Sequence, residues 1–292
     1  MMRPIAGAGA LAIAIVAAGV ISTAATQQQS VFKTGVDVVF VDVAVTNRRT
    51  PVRGLVSSDF TLTDNGVPQA IDSVSVESMP IDVTLLLDVS GSVEAGVLDG
   101  LKRAVDDTSK ALSARDRVRL MTFSHEVRQL FPYRPGGAPA NLKMLTAGGA
   151  TSLYDALAAA MIQARPAGTR QMILVFTDGA DSRSFMDAPA LQQLGGVSDE
   201  VVYFAIGIRR GGADVPHKSQ LTDIAAATGG DVTTFRVDSA IPTTFRDILD
   251  RFRMSYVLRY SPTGVSREGW HALTVDVRKG NYEIRAKKGW QG

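Results

Sequence analysis

The chain has no cysteine and only three histidines among its 292 residues. The absence of cysteine excludes disulfides, thiolate metal sites, cysteine nucleophiles and lipid attachment through a cysteine. A metal site would need oxygen or imidazole ligands, and His125, His217 and His271 lie far apart in the sequence. Oxygen ligands, which suit hard cations such as Mg²⁺, Mn²⁺ and Ca²⁺, are therefore the expected kind.

The chain also lacks a strong excess of charge. Its formal net charge is +2 and no long basic run occurs, so the sequence gives no support for a nucleic-acid partner. The apolar fraction of 45% and the charged fraction of 21% are those of an ordinary globular protein. The length favours one large domain with a smaller one beside it.

Charged residues are scarce at the N-terminus. Arg3 precedes an apolar run, Ile5–Ile21, which is followed by small and then polar residues. This order predicts a signal peptide over residues 1–25, cleaved after Ala24 or Ala25. The alternative is an uncleaved membrane anchor, although the run is near the lower length limit for spanning a bilayer. Either way we expect the remainder to be secreted or periplasmic, with no further membrane insertion.

Two segments with a β pattern, residues 31–79 and 254–290, flank the centre of the chain. Val36–Val45 is a β-branched run, and Asn65-Gly66 is a hairpin signal between two short alternating runs. Lys279–Asn281 predicts a turn between the last two strands. Neither segment is large enough to bury a core alone. We therefore expect the two to pair into a small β-sandwich-like module.

Residues 80–253 alternate between apolar runs and amphipathic stretches. This alternation predicts a doubly wound α/β domain with a mostly parallel sheet flanked by helices. The predicted strands are Ile81–Leu87, Val118–Phe123, Met172–Thr177, Val201–Ile208 and Asp231–Phe235, and the predicted helices are Val93–Leu112, Ser152–Ala164, Gln220–Thr228 and Ile241–Phe252.

Three short motifs fall where ligands bind in such sheets, at the carboxyl ends of strands. They are Asp88-Val89-Ser90-Gly91-Ser92, Gly148-Gly149-Ala150-Thr151-Ser152 and Thr177-Asp178-Gly179. Together they offer two carboxylates and several hydroxyls. Mg²⁺ accepts such oxygen ligands and keeps several waters, whereas Ca²⁺ usually takes more carboxylate oxygens. The predicted metal ligands are Asp88, Ser90, Ser92, Thr151 and Asp178.

Each of these residues has an ordinary structural explanation as well. Ser90 and Ser92 could cap the helix that follows them, and Thr151 could be an N-cap. The two aspartates could be turn residues, since Asp-Gly is a common turn pair. The occurrence of all five at one edge of the sheet favours the metal site. Asp181, Ser182, Asp187 and His125 lie near the same rim and are expected to be loop residues.

The five positions resemble the metal-ion-dependent adhesion site of von Willebrand factor type A domains, in order, in spacing and in strand context. The flanking β segments resemble a bacterial secreted group built around this domain. The resemblance implies direct metal contact for Ser90, Ser92 and Thr151, and water-mediated contact for Asp88 and Asp178. It leaves the sixth metal position to a Glu or Asp of a partner protein. It also implies that the last helix, Ile241–Phe252, shifts between affinity states.

A metal-dependent protein-binding module without catalytic residues is the function that these features favour. One alternative is a structural or assembly subunit of an envelope complex. A serine hydrolase using Ser90 or Ser92 with His125 and Asp178 is less supported, because the Gly-x-Ser-x-Gly elbow is missing. A phosphohydrolase with Asp88 as nucleophile lacks an obvious lysine and second aspartate nearby.

Overall fold

The computed structural model of the protein describes residues 38–76, 79–138, 141–143, 145–163, 168–208, 215–237 and 240–292. The predicted signal peptide lies outside these residues. Residues 36–292 form one compact unit. Among the described residues, no helix combines the length and apolar character needed to cross a bilayer.

The described part of the N-terminal segment consists of short strands and one 3-10 turn. They are β1 (Val39–Asn47), β2 (Thr50–Pro51), the turn Ser57–Asp59, β3 (Phe60–Asp64), β4 (Val67–Gln69) and β5 (Ile71–Val76). The predicted hairpin at Asn65-Gly66 forms, with both residues at positive φ as a tight hairpin turn requires. It joins β3 to β4, a strand that we did not predict, whereas β5 belongs to a different sheet.

The central segment forms the predicted α/β layer. Its elements are β6 (Ile81–Asp88), α1 (Ala95–Ala111), β7 (Arg117–Phe123), β8 (Val127–Pro135), α2 (Leu153–Met161), β9 (Arg170–Thr177), α3 (Ala188–Val197), β10 (Glu200–Ile208), α4 (Lys218–Ala227), β11 (Asp231–Arg236) and α5 (Ile241–Arg253). The sheet order is β11-β10-β9-β6-β7-β8, and only β8 runs antiparallel to its neighbour. The predicted fold class is confirmed.

Helices cover both faces of this sheet. Every residue of β6 is buried, as expected for an apolar strand in the middle of a parallel sheet. Its Leu85 and Leu87 face the cluster that includes α1 and α5, and Leu86 faces the cluster that includes α2, α3 and α4. The alternation follows from the two-residue period of a strand.

Two elements of this layer, β8 and α3, are absent from the sequence-based prediction. β8 is an edge strand with prolines at Pro132 and Pro135, which an edge tolerates because one side of its backbone has no ladder partner. α3 contains Gly195 and Gly196, which weaken a helical pattern. A Cβ on Gly195 would lie 3.0 Å from the Thr228 side chain, so close packing explains this glycine.

The C-terminal segment adds four strands, β12 (Tyr256–Tyr260), β13 (Trp270–Val277), β14 (Glu283–Ala286) and β15 (Gly289–Gln291). One sheet has the order β14-β1-β12-β5, with β2 beside β1, and the other has the order β15-β13-β3-β4. The N- and C-terminal segments thus pair in both sheets, as the predicted sandwich-like module requires. The turn predicted at Lys279–Asn281 lies between β13 and β14, but these two strands do not pair, because the chain crosses there from one sheet to the other.

Arg170, at the start of β9, ties the α/β layer to the module. It is 3% exposed, and its Nε donates to Asp42 Oδ1 on β1 at 2.7 Å. Its Nη2 donates to the carbonyl oxygen of Phe252, in the last turn of α5, at 2.8 Å and to Ser255 Oγ at 2.5 Å. The guanidinium also lies over the Phe252 ring, 4.2 Å from its centroid. One buried cation therefore joins β9, α5 and β1.

Asp82, in β6, is a fully buried carboxylate with several donors around it. Arg117 donates to it from Nε at 2.8 Å and from Nη2 at 2.5 Å, and Gln171 and Thr169 donate at 3.0 and 2.9 Å. Burial by itself would raise the pKa of Asp82, but these hydrogen bonds and the charge of Arg117 bring its pKa below the ordinary value.

Asp82→Asn is expected to lower the free energy of unfolding at pH 7 by about 2–3 kcal/mol, because it removes charge-assisted hydrogen bonds. A carboxyl with a lowered pKa stabilises the fold above its unfolded pKa, about 3.9, and this contribution is lost as the pH falls through the folded value. The difference from wild type should therefore shrink below about pH 4. Urea unfolding at several pH values measures it. Asp99→Asn, at an exposed carboxylate on α1, is the control; an equal loss in both variants would contradict the prediction.

Candidate metal centre

The site begins where two neighbouring parallel strands end. β6 and β9 are paired, with Leu87 opposite Phe176, so Asp88 and the residues after Thr177 emerge at the same edge of the sheet. β6 lies in the interior of the sheet, between β9 and β7. The strand order, more than the spacing in the sequence, brings the first and third motifs together.

Asp88 organises the first motif. Its side chain is fully buried; Oδ1 accepts a hydrogen bond from the Ser90 backbone N–H at 2.9 Å, and Oδ2 accepts one from Thr177 Oγ1 at 3.0 Å. The hydroxyls of Ser90 and Ser92 lie 3.1 Å apart. Three of the five predicted ligands are therefore neighbours, and Thr177 links them to the strand that leads to Asp178.

Backbone hydrogen bonds join the second motif to the first. Gly91 N–H donates to Gly149 O at 2.8 Å, and Gly148 N–H donates to Val89 O at 2.8 Å. Gly149 has φ +87°, and a Cβ at this position would overlap the ring of His125. Glycine suits this conformation and this close approach, which explains Gly149.

The loop after β9 also holds the second motif in place, through hydrogen bonds to Thr151 and to the first turn of α2. Thr151 N–H donates to Ser182 Oγ at 3.1 Å, and Ser182 N–H donates to Thr151 O at 2.9 Å. Asp181 Oδ2 accepts a hydrogen bond from Tyr154 N–H, in the first turn of α2, at 3.0 Å. Sequence reasoning treated Asp181 and Ser182 as loop residues, and it missed their role in positioning Thr151. A polar side chain within a few residues of the Asp-Gly motif was the available signal.

The ordinary explanations can now be compared with the structure. The N-cap of α1 is Glu94 and that of α2 is Ser152, and neither side chain accepts a capping hydrogen bond from its own helix. Ser90, Ser92 and Thr151 are therefore not the caps of these helices. Asp178 does accept a turn hydrogen bond, from Ala180 N–H at 3.1 Å. Among the described residues, the side chains of Thr151 and Asp178 make no hydrogen bond to Asp88, Ser90 or Ser92.

The electrostatics of this edge fit a cation. Burial raises the pKa of Asp88 to about 6; the hydrogen bonds from Ser90 and Thr177 oppose this rise, and the nearby charge of Asp178 adds to it. Two carboxylates that repel each other in a partly buried place are stabilised by a positive ion between them. In the part of the chain that the structure describes, no cluster of three or more His, Cys, Asp or Glu occurs. The donor set is two carboxylates with neutral hydroxyls, which suits a hard divalent cation.

The site is open on one side only. Asp88 is fully buried, and Ser90 and Thr151 are 1% and 6% exposed. Ser92 and Asp178 are partly exposed. A cation among these residues would face protein on its inner side and solvent, or a partner, on its outer side.

Comparison with known proteins agrees with this fold. The family model of the von Willebrand factor type A domain matches residues 82–249. The chain belongs to the von Willebrand factor type A domain family. Membership of this family indicates a protein-interaction module. A search of curated proteins found no match.

Solved structures show the same fold at low sequence identity. A von Willebrand factor type A protein from Catenulispora acidiphila is 14% identical with a TM-score of 0.54, over 80% of this chain and 74% of that one. The ArnB paralog VWA2 from Sulfolobus acidocaldarius is 11% identical with a TM-score of 0.51, over 86% and 75%. Proximal thread matrix protein 1 from the mussel byssus is 15% identical with a TM-score of 0.53, over 65% of this chain. This chain spans 50% of that mussel protein's length.

Proposed function

We propose that this protein is an extracytoplasmic binding module that captures a Glu or Asp of a partner protein through a divalent cation. The cation would be Mg²⁺, with Mn²⁺ or Ca²⁺ as substitutes, held by Asp88, Ser90, Ser92, Thr151 and Asp178. The observation that carries the proposal is the joining of the loops after β6 and β9 with the segment before α2 by hydrogen bonds around Asp88 and Thr151. The proposed arrangement is the metal-ion-dependent adhesion site of the family.

The chemistry of the donor set supports capture of an anion. Two carboxylates balance the charge of a divalent ion, and the hydroxyls of Ser90, Ser92 and Thr151 add no further negative charge. A cation with so few anionic ligands still attracts a carboxylate from outside. Asp88 and Asp178 would act through waters and hydrogen bonds that orient the other ligands.

The location outside the cytoplasm is supported by the N-terminal sequence pattern. Residues 1–25 have the order of a signal peptide, and the absence of cysteine gives no conflict with an oxidising compartment. If the segment is not cleaved, it would anchor the domain to the membrane. Mass determination of the exported protein would show a mature N-terminus near Thr26 if cleavage occurs.

We propose binding without turnover. The imidazole of His125, the candidate base of a serine hydrolase, contacts Ser124 Oγ at 3.3 Å, whereas the hydroxyl of Ser90 contacts that of Ser92. A nucleophile and its base should lie within hydrogen-bond reach of each other. The full chain is therefore expected to show no hydrolysis of generic ester or phosphate substrates with Mg²⁺ present. Turnover that disappears in Asp88→Ala would contradict this expectation.

A capture experiment with the full chain tests the proposal. The immobilised protein is exposed to cell-envelope extract in Mg²⁺, in EDTA, and as the variant Asp178→Ala. We expect a partner that is retained in Mg²⁺ and lost in the other two conditions. A partner that stays bound in EDTA would instead indicate a permanent assembly subunit. Glu126→Ala, which removes another exposed carboxylate at the same edge, should retain the partner.

A further inference from the structure

Phe185 is an aromatic side chain that none of the described residues covers. It is 100% exposed and lies in the loop between β9 and α3. A single exposed apolar residue needs no explanation by itself. The position of Phe185 and the rigidity of its backbone distinguish it from the other exposed apolar residues of this chain.

The backbone at Phe185 is held by a dense set of hydrogen bonds. The Asp155 carboxylate, on α2, accepts from Phe185 N–H at 3.0 Å and from Met186 N–H at 2.9 Å. Ser184 Oγ accepts from Asp155 N–H at 3.1 Å and donates to Asp181 Oδ2 at 2.6 Å. The ring therefore projects from a fixed backbone. A fixed anchor loses little conformational entropy when a partner covers it.

Phe185 also lies close to the candidate metal centre. Ser182 exchanges two hydrogen bonds with Thr151, one of the predicted ligands. Three residues span at most about 11 Å, so the Cα of Phe185 lies within about 11 Å of the Cα of Ser182. An extended peptide covers such a distance in about three or four residues. Because Ser182 is the residue that contacts Thr151, this short loop lies beside the site, and we take a few residues of extended peptide as the span between the cation and Phe185.

The same loop carries one arginine and three aspartates; Asp178 is a predicted ligand, and Asp181 and Asp187 accept backbone hydrogen bonds from Tyr154 and Ala190. Arg183, two residues before Phe185, is exposed, and its guanidinium has no ion-pair partner among the described residues. The cation and this guanidinium would both attract a negatively charged segment, and the ring of Phe185, two residues further along the loop, offers an apolar contact. Arginine and aromatic residues are the side chains that most often contribute strongly to binding.

We propose that the partner presents an acidic segment in which a large apolar side chain lies within about two to four residues of the Glu or Asp that reaches the cation. That apolar side chain packs on Phe185, and Arg183 faces the remaining negative charge. This inference rests on the proposed function and adds the sequence type that the site selects. Phe185 and Arg183 determine specificity, whereas the five metal ligands supply the attraction.

A displayed peptide library tests this inference. Nine-residue peptides with a fixed central Glu and random flanks are selected on the full chain in Mg²⁺, and EDTA elution collects the metal-dependent binders. We expect these binders to be enriched in aromatic residues or leucine within four positions of the Glu. Phe185→Ser should weaken their binding roughly tenfold or more.

Ile162→Ser is the matched control, because Ile162 is 70% exposed and lies at the opposite end of α2. It should leave peptide binding unchanged. Metal-dependent binders without an apolar preference, or equal binding by Phe185→Ser, would overturn this inference and leave the proposed function in place. A library that yields no EDTA-sensitive binders, from a protein that does bind Mn²⁺, would count against the proposed function itself.

Discussion

Replacing Asp178 by alanine is expected to weaken Mn²⁺ binding by about 10- to 100-fold. The change removes one of two carboxylates at the end of the sheet, where its charge already raises the pKa of Asp88. A cation in this place gains from both charges, so loss of one lowers its affinity directly. Isothermal titration of the metal-free full chain with Mn²⁺ and with Mg²⁺ measures the effect.

The fold should survive this change. Among the described residues, the Asp178 side chain accepts a hydrogen bond only from the Ala180 backbone N–H, a turn contact, and Asp178 is partly exposed. Glu126→Ala is the matched control, since Glu126 is 49% exposed near the same edge and pairs with Arg128. Its affinity for Mn²⁺ should equal that of wild type. If Asp178→Ala binds Mn²⁺ as wild type does, Asp178 is not part of a metal centre.

Arg170→Met is expected to lower the free energy of unfolding by about 3–5 kcal/mol. Methionine keeps much of the volume but leaves Asp42 without its partner and removes the charged donor to the carbonyl oxygen of Phe252, which keeps only its local contacts with Ser255. The loss of stability should appear in local opening of the chain as well as in global unfolding. Hydrogen exchange at the end of α5 and in β1 should become faster, because both depend on the same guanidinium.

Urea unfolding together with hydrogen exchange measures both effects. Arg246→Met, at an exposed arginine of α5, makes the same replacement without a buried ion pair and should cost less than about 0.5 kcal/mol. A loss of stability in Arg170→Met without faster exchange in β1 would show that the cation supports the α/β layer alone. Equal stability of the two variants would show that Arg170 does not hold the α/β layer and the module together.

The first and third motifs were recognisable because each directly follows an apolar run, whereas the second lies before α2 and follows no strand directly. Asp88 ends a strand whose residues are all buried, and Asp178 follows another. The carboxyl ends of adjacent parallel strands share an edge, so these residues could be placed together without coordinates. The role of Thr177, whose hydroxyl donates to Asp88, was not foreseen, because a hydrogen bond between residues 89 positions apart leaves no local pattern.

The module shows where local patterns mislead. Asn65-Gly66 predicted a hairpin and forms one, because its positive φ angles are a property of two residues. The turn at Lys279–Asn281 has the same kind of composition, but the strands on either side of it enter different sheets. A turn signal says that the chain reverses or bends. It does not say which strand will be the hydrogen-bonding partner.

The sequence alone determined the type and approximate extent of most elements, the alternation of strand and helix, and the residues at the strand ends. Those features depend on hydrophobic period, turn residues and glycine, which act over a few residues. Only the tertiary structure decided which strands pair across the module and that Arg170 bonds to both β1 and α5. It also decided that Ser182 holds Thr151, and that none of the described residues covers the Phe185 side chain. These depend on contacts between residues distant in the chain, whose energies exist only once the chain is folded.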